Sequence, residues 1–144
     1  MRVRRIGFVG VRTASFDQMT AFVRDVLGLT PSHVDSGWAV FPLDSGEHDY
    51  FEIFGLANHD ERLLTAASDG PIAAFVIDDL LEARTELEAA GTEIIGDVVW
   101  ASELFAEPSV TGFGWLFFRA PDGNVYVLQQ ERTPAAPAHE RAGS

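Results

Sequence analysis

The chain has 144 residues, 47% of them apolar, with a formal net charge of −12 and a pI near 4.5. That length suffices for one respectable core, and a surface so acidic argues against nucleic acid and anionic membrane as partners. The absence of cysteine excludes disulfides, thiolate metal sites and a cysteine nucleophile. No run approaches the roughly 20 apolar residues a membrane span needs, and the opening MRVRRIGF lacks a signal-peptide core, so a cytoplasmic protein is expected.

Ile6 to Thr13 is rich in β-branched and apolar residues and reads as a strand. A helix is predicted directly after it: Ser15 and Gln18 have capping-box spacing, Phe16, Met19, Val23, Val26 and Leu27 recur on one face, and Gly28 is the stop. Thr30 to Ser36 is a short candidate strand, and Trp38 to Leu43 and Tyr50 to Gly55 form a hairpin about the turn DSGEHD. Asn58 to Gly70 is a polar connector. The same grammar then returns. The strand opening at Ile72 runs to a cap at Asp79, Glu82 completes a second box, and Ala83, Leu87 and Ala90 lead to Gly91. The two caps lie 64 residues apart, a period of about half the chain, which points to two modules rather than a solenoid. Three strands follow, over Thr92 to Trp100, Gly112 to Arg119 and Asn124 to Gln130, the last two joined by the turn APDG. Each module is thus βαβββ. The predicted organisation is a single domain over 1–132, with module one at about 1–57, the connector at 58–70 and module two at 71–132. The Pro- and Ala-rich stretch 133–144 is read as a disordered tail.

With βαβββ written twice, AFVRDVLGL in the first copy and APDGNVYVLQQ at the end, the chain resembles the vicinal oxygen chelate superfamily. That superfamily includes glyoxalase I, extradiol dioxygenases and bleomycin-resistance proteins. The resemblance spans Ile6 to Gln130 and implies an α+β fold, with paired modules bending a mixed sheet into a half-open cup. It also implies four inward positions that hold metal ligands in the metal-using members. Counted from the motifs, those positions fall at Phe8, Glu52, Ile72 and Val127, three of which carry hydrocarbon, so no metal and no other cofactor is expected.

Strand alternation puts Phe8, Gly10 and Arg12, then Tyr50, Glu52 and Phe54, then Ile72, Ala74 and Val76, then Val125, Val127 and Gln129, on the cup wall. Trp115, Phe117 and Arg119 share one face of their strand, with the register of that strand and of the strand carrying Trp38 left open. The expected ligand-binding set is Phe8, Arg12, Tyr50, Glu52, Phe54, Ile72, Trp115, Phe117 and Val127. Glu52 is the candidate catalytic residue; three readings stand for it: an ion pair with Arg12 or Arg119, a countercharge for a cationic ligand, or a general base with a raised pKa. His48 falls in the hairpin turn, His33 and His59 in loops and His139 in the tail, and none joins a metal set.

The resemblance is strongest in function to the bleomycin-resistance branch. It implies a metal-free protein that binds a partly apolar or aromatic, cationic small molecule, and a homodimer whose clefts lie between two chains. The alternative is a lyase, isomerase or dioxygenase-like enzyme of the same superfamily, using Glu52 as base or a metal site elsewhere in the chain.

Overall fold

A computed structural model describes residues 1–44, 49–57, 70–104, 106 and 111–131. In chain order the elements are β1 (Arg5–Arg12), α1 (Phe16–Asp25), β2 (His33–Val34), β3 (Trp38–Pro42), β4 (Tyr50–Phe54), β5 (Gly70–Ile77), α2 (Leu80–Ala89), β6 (Glu93–Trp100), a 3-10 turn (Ala101–Glu103), β7 (Gly114–Arg119) and β8 (Val125–Gln130). All strands join one mixed sheet in the order β2-β3-β4-β1-β5-β8-β7-β6. Each half repeats the other. β1 pairs parallel with β4 as β5 pairs parallel with β8, and the halves meet where β1 runs antiparallel to β5. This is the predicted α+β arrangement of two βαβββ modules. The connector, the hairpin tip with His48, and His59 and His139 lie outside the described residues, apart from the connector's last residue, Gly70, which opens β5.

Alternation along the strands sorts the apolar residues into separate cores. On one face α1 lays Phe16 and Val23 against Ala39, Phe41 and Ile53, and α2 lays Leu80 and Ala83 against Ile77, Leu116 and Leu128. Among the described residues no helix packs on the other face. Even so, Phe8, Ile72, Ala74, Phe117, Val125 and Val127 are buried on it, as expected of a sheet that curls that face inward into a cup. The β-bulge between Ile95 and Val99 on β6, where Gly96 has φ of +76°, adds to that curvature at one rim.

The two helix starts differ. Asp79 accepts a hydrogen bond from the Glu82 backbone N–H at 3.0 Å and caps α2 as its spacing predicts. Ser15 makes no side-chain cap bond. Its own N–H instead donates to Thr13 Oγ1 at 3.0 Å, so the first predicted box is not formed. Asp79→Ala is therefore expected to cost about 1 kcal/mol in urea denaturation, against a few tenths at most for Ser15→Ala. Equal losses would contradict the assignment.

The predicted helix faces also run too far. α1 ends at Asp25, leaving Val26 and Leu27 in the exit turn at 68% and 57% exposure, and Ala90 is an exposed C-cap residue rather than part of the buried stripe. Both miscounts have one physical cause. Apolar periodicity continues through the last residues before a stop glycine, while the chain has already turned away from the sheet.

Candidate functional site in the cup

The strand registers bring the candidate residues to one face. Phe8 lies across from Ala74, Ala74 from Val127, Val127 from Phe117 and Phe117 from Ile95, a row that crosses five strands. A second row runs His33, Val40, Glu52, Gly10, Ile72, and a third runs Trp38, Phe54, Arg12. Tyr50 shares the face of Glu52 by alternation, and Trp115, across from Gln129, shares the face of Phe117. All nine expected residues therefore line the face opposite α1 and α2. The two registers left open by the sequence are resolved, with Trp38 and Trp115 both inward.

Gly10 sets the floor. A Cβ there would meet the Glu52 carbonyl oxygen at 2.6 Å and Phe54 Cε2 at 3.1 Å, so the missing side chain lets the Phe54 ring lean over β1. That ring lies 5.8 Å from Phe8, centroid to centroid. Arg12, one step along β1, is buried at 9% exposure.

Glu52 is thus a carboxylate in aromatic and aliphatic surroundings. Its Oε1 accepts a hydrogen bond from the Trp38 indole Nε1–H at 3.0 Å. Burial pushes its pKa up from 4.5 to about 7, and the Trp38 hydrogen bond opposes the rise without reversing it. Of the two arginines expected as ion-pair partners, Arg119 is engaged elsewhere. Its Nε donates to Glu93 at 3.1 Å and its Nη1 to the Gly123 carbonyl at 3.0 Å, so this half of the expected pairing is corrected. Strand β7 ends at Arg119, and its guanidinium turns to the rim where Glu93 of β6 stands across from it.

His33, read as a loop residue although it falls within the candidate strand Thr30 to Ser36, stands on β2, the two residues of that segment that form a strand, at the head of the Glu52 row. Its ring packs on Trp38 at a centroid distance of 4.5 Å, and its Nε2–H donates to Asp35 Oδ2 at 2.8 Å. A two-residue edge strand has no periodicity to detect. The readable signal is the Asp-Ser-Gly turn of residues 35–37 between His33-Val34 and the WAVFP strand.

A divalent cation does not fit the four aligned positions. Phe8, Ile72 and Val127 offer hydrocarbon, exposed by only 7%, 3% and 2%, and leave one carboxylate as donor. Among the described residues no three His, Cys, Asp or Glu side chains converge.

Sheet order, paired modules and cup together define a glyoxalase-like fold. The chain resembles the Mn(II)-bound glyoxalase from Novosphingobium aromaticivorans at 25% identity and a TM-score of 0.66, over 92% of this chain. It spans 40% of that longer protein. It also resembles Streptomyces coelicolor methylmalonyl-CoA epimerase in complex with 2-nitronate-propionyl-CoA, at 16% identity and a TM-score of 0.63, over 90% of this chain and 99% of that one. A hypothetical protein from Bacillus halodurans matches at 15% identity and a TM-score of 0.61, over 91% of this chain and 96% of that one. No family model and no curated protein matches. On this fold and these likenesses, the chain has the glyoxalase-like fold of the vicinal oxygen chelate superfamily.

Proposed function

We propose that this protein binds an organic cation with apolar or aromatic substituents in its cup, without a metal, and that Glu52 supplies the countercharge. One observation carries the reading: the carboxylate occupies an aligned ligand position whose three companions are hydrocarbon, with an indole N–H as its neighbour. An ionised carboxylate so placed is poorly solvated. A cation with a greasy body supplies a counterion and covers apolar surface in the same step, and Trp38, Tyr50 and Phe54 add ring faces. The net charge of −12 draws cations toward the protein.

Titration of tryptophan emission tests this, since Trp38 and Trp115 both face the cup. Benzyltrimethylammonium is expected to give a saturable change that neutral benzyl alcohol does not, and that Glu52→Gln removes. Absence of a saturable change with either compound contradicts the proposal.

A second reading is favoured by the same carboxyl's pKa of about 7. A group that titrates there is suited to general-base work, as a lyase or isomerase would need. Incubation with methylmalonyl-CoA in deuterated water distinguishes it. Glu52-dependent deuterium uptake next to the thioester carbonyl favours catalysis over sequestration, whereas no uptake leaves the binding reading. We take the protein to be a cytoplasmic homodimer, and the exposed Phe22, Val26 and Leu27 of the α1 end suit burial by a second copy. Sedimentation equilibrium measures this, and a monomer contradicts it.

A further inference from the structure

Glu52 is held by Trp38, and Trp38 is itself held from the edge of the sheet. His33 covers the indole at 4.5 Å between centroids, tilted by 47°. Asp35 holds His33 by the 2.8 Å bond to Nε2, and its other oxygen accepts the Gly37 backbone N–H at 2.8 Å. The Asp35 N–H in turn donates to the Trp38 carbonyl at 2.9 Å. A carboxylate, an imidazole, an indole and a second carboxylate therefore stand in series from the sheet edge to the floor. β2 has only two residues, too few to stabilise an edge by pairing alone. The side-chain series and the turn at Asp35 fix the lip where the ladder does not.

We propose that His33 and Asp35 are positioning residues for ligand binding, acting through Trp38 at the lip of the cup. The inference rests on the cup being the ligand site. His33 occupies one side of the indole, which leaves the other side and the N–H edge to the cup. The lip thereby presents an ordered aromatic wall beside Glu52 rather than a side chain that must be ordered at binding. Without the imidazole, the indole regains rotamer freedom and its hydrogen bond to Glu52 is intermittent. A phenyl ring of similar shape at residue 33 preserves the packing and loses only the bond to Asp35.

The test reads the indole directly. In 1H–15N spectra the Trp38 Nε1–H resonance, assigned by its absence in Trp38→Phe, is expected downfield and slow to exchange in the wild-type protein. His33→Ala should move it upfield, speed its exchange, and weaken benzyltrimethylammonium binding about tenfold, the scale of one net hydrogen bond. His33→Phe should retain most of both. An unchanged resonance and affinity in His33→Ala overturns the inference while the proposed function stands, provided Glu52→Gln still abolishes binding. If the wild-type protein binds no probe, the proposed function fails. In that case an upfield shift in His33→Ala supports the positioning geometry, and an unmoved resonance overturns it.

Discussion

Replacing Glu52 with glutamine is expected to stabilise the fold at pH 8 by up to about 3 kcal/mol and to leave it nearly unchanged at pH 4. The sign follows from burial. Glu52 has its pKa raised from 4.5 to about 7 in the folded protein, so between those values the native state holds a proton that the unfolded chain has released. Stability therefore falls as pH rises through that window. The cost is absent below about 4.5 and complete above about 7. Glutamine keeps the acceptor for the Trp38 N–H and carries no charge at any pH, so it removes the cost without removing the hydrogen bond. Urea denaturation of both proteins across pH 4 to 8 measures the difference. A flat difference, or a variant less stable at pH 8, would mean that the carboxylate is compensated in the native state.

Affinity for benzyltrimethylammonium is expected to run the opposite way, rising about a hundredfold from pH 5 to pH 8 and levelling off above about 7. The probe's charge does not change with pH, so the profile belongs to the protein. Binding needs the ionised carboxylate, and two pH units below its pKa only about 1% of the molecules carry it. Binding at pH 7 should accordingly release part of a proton, readable as buffer-dependent heat in calorimetry. Among the described residues, Arg12 on β1, Tyr50 on β4, and His33 and Asp35 at the β2 edge are the other charged or titratable groups toward Glu52, while β5 contributes Ile72. Glu52→Gln should bind weakly and show no such profile, which assigns the effect to Glu52.

Much of this site is legible in the sequence because periodicity and turn chemistry are local. The PDGN turn and the AFVRDVLGL helix fix their neighbouring strands to within a residue, and period-two alternation then orients every side chain between them. With the ligand positions that the superfamily resemblance implies, Phe8, Glu52, Ile72 and Val127 are then counted onto one face. The same logic fails where order comes from partners distant in sequence. The inward facing of Trp38 depends on a register set by the turn at Asp35 and by β4, and no apolar pattern reports it. His33 has meaning only through the indole it covers. Ser15 has the right spacing for a cap but makes no side-chain cap bond, and its own N–H is taken by Thr13 Oγ1. Arg119 and Glu52 are both polar and both near the cup, yet Glu93, 26 residues earlier on the neighbouring strand, takes the guanidinium.

The departure from a metal site rests on ordinary side-chain chemistry. Relatives of this fold include a Mn(II)-bound glyoxalase, whereas here hydrocarbon stands at three of the four aligned places. Equilibrium dialysis against Mn(II), followed by elemental analysis, tests that point most directly. The expected result is far less than one ion per chain, with wild-type protein and Glu52→Gln alike. One Mn(II) retained per chain and lost in Glu52→Gln would contradict it, and would make the acid in the cup a metal ligand rather than a countercharge.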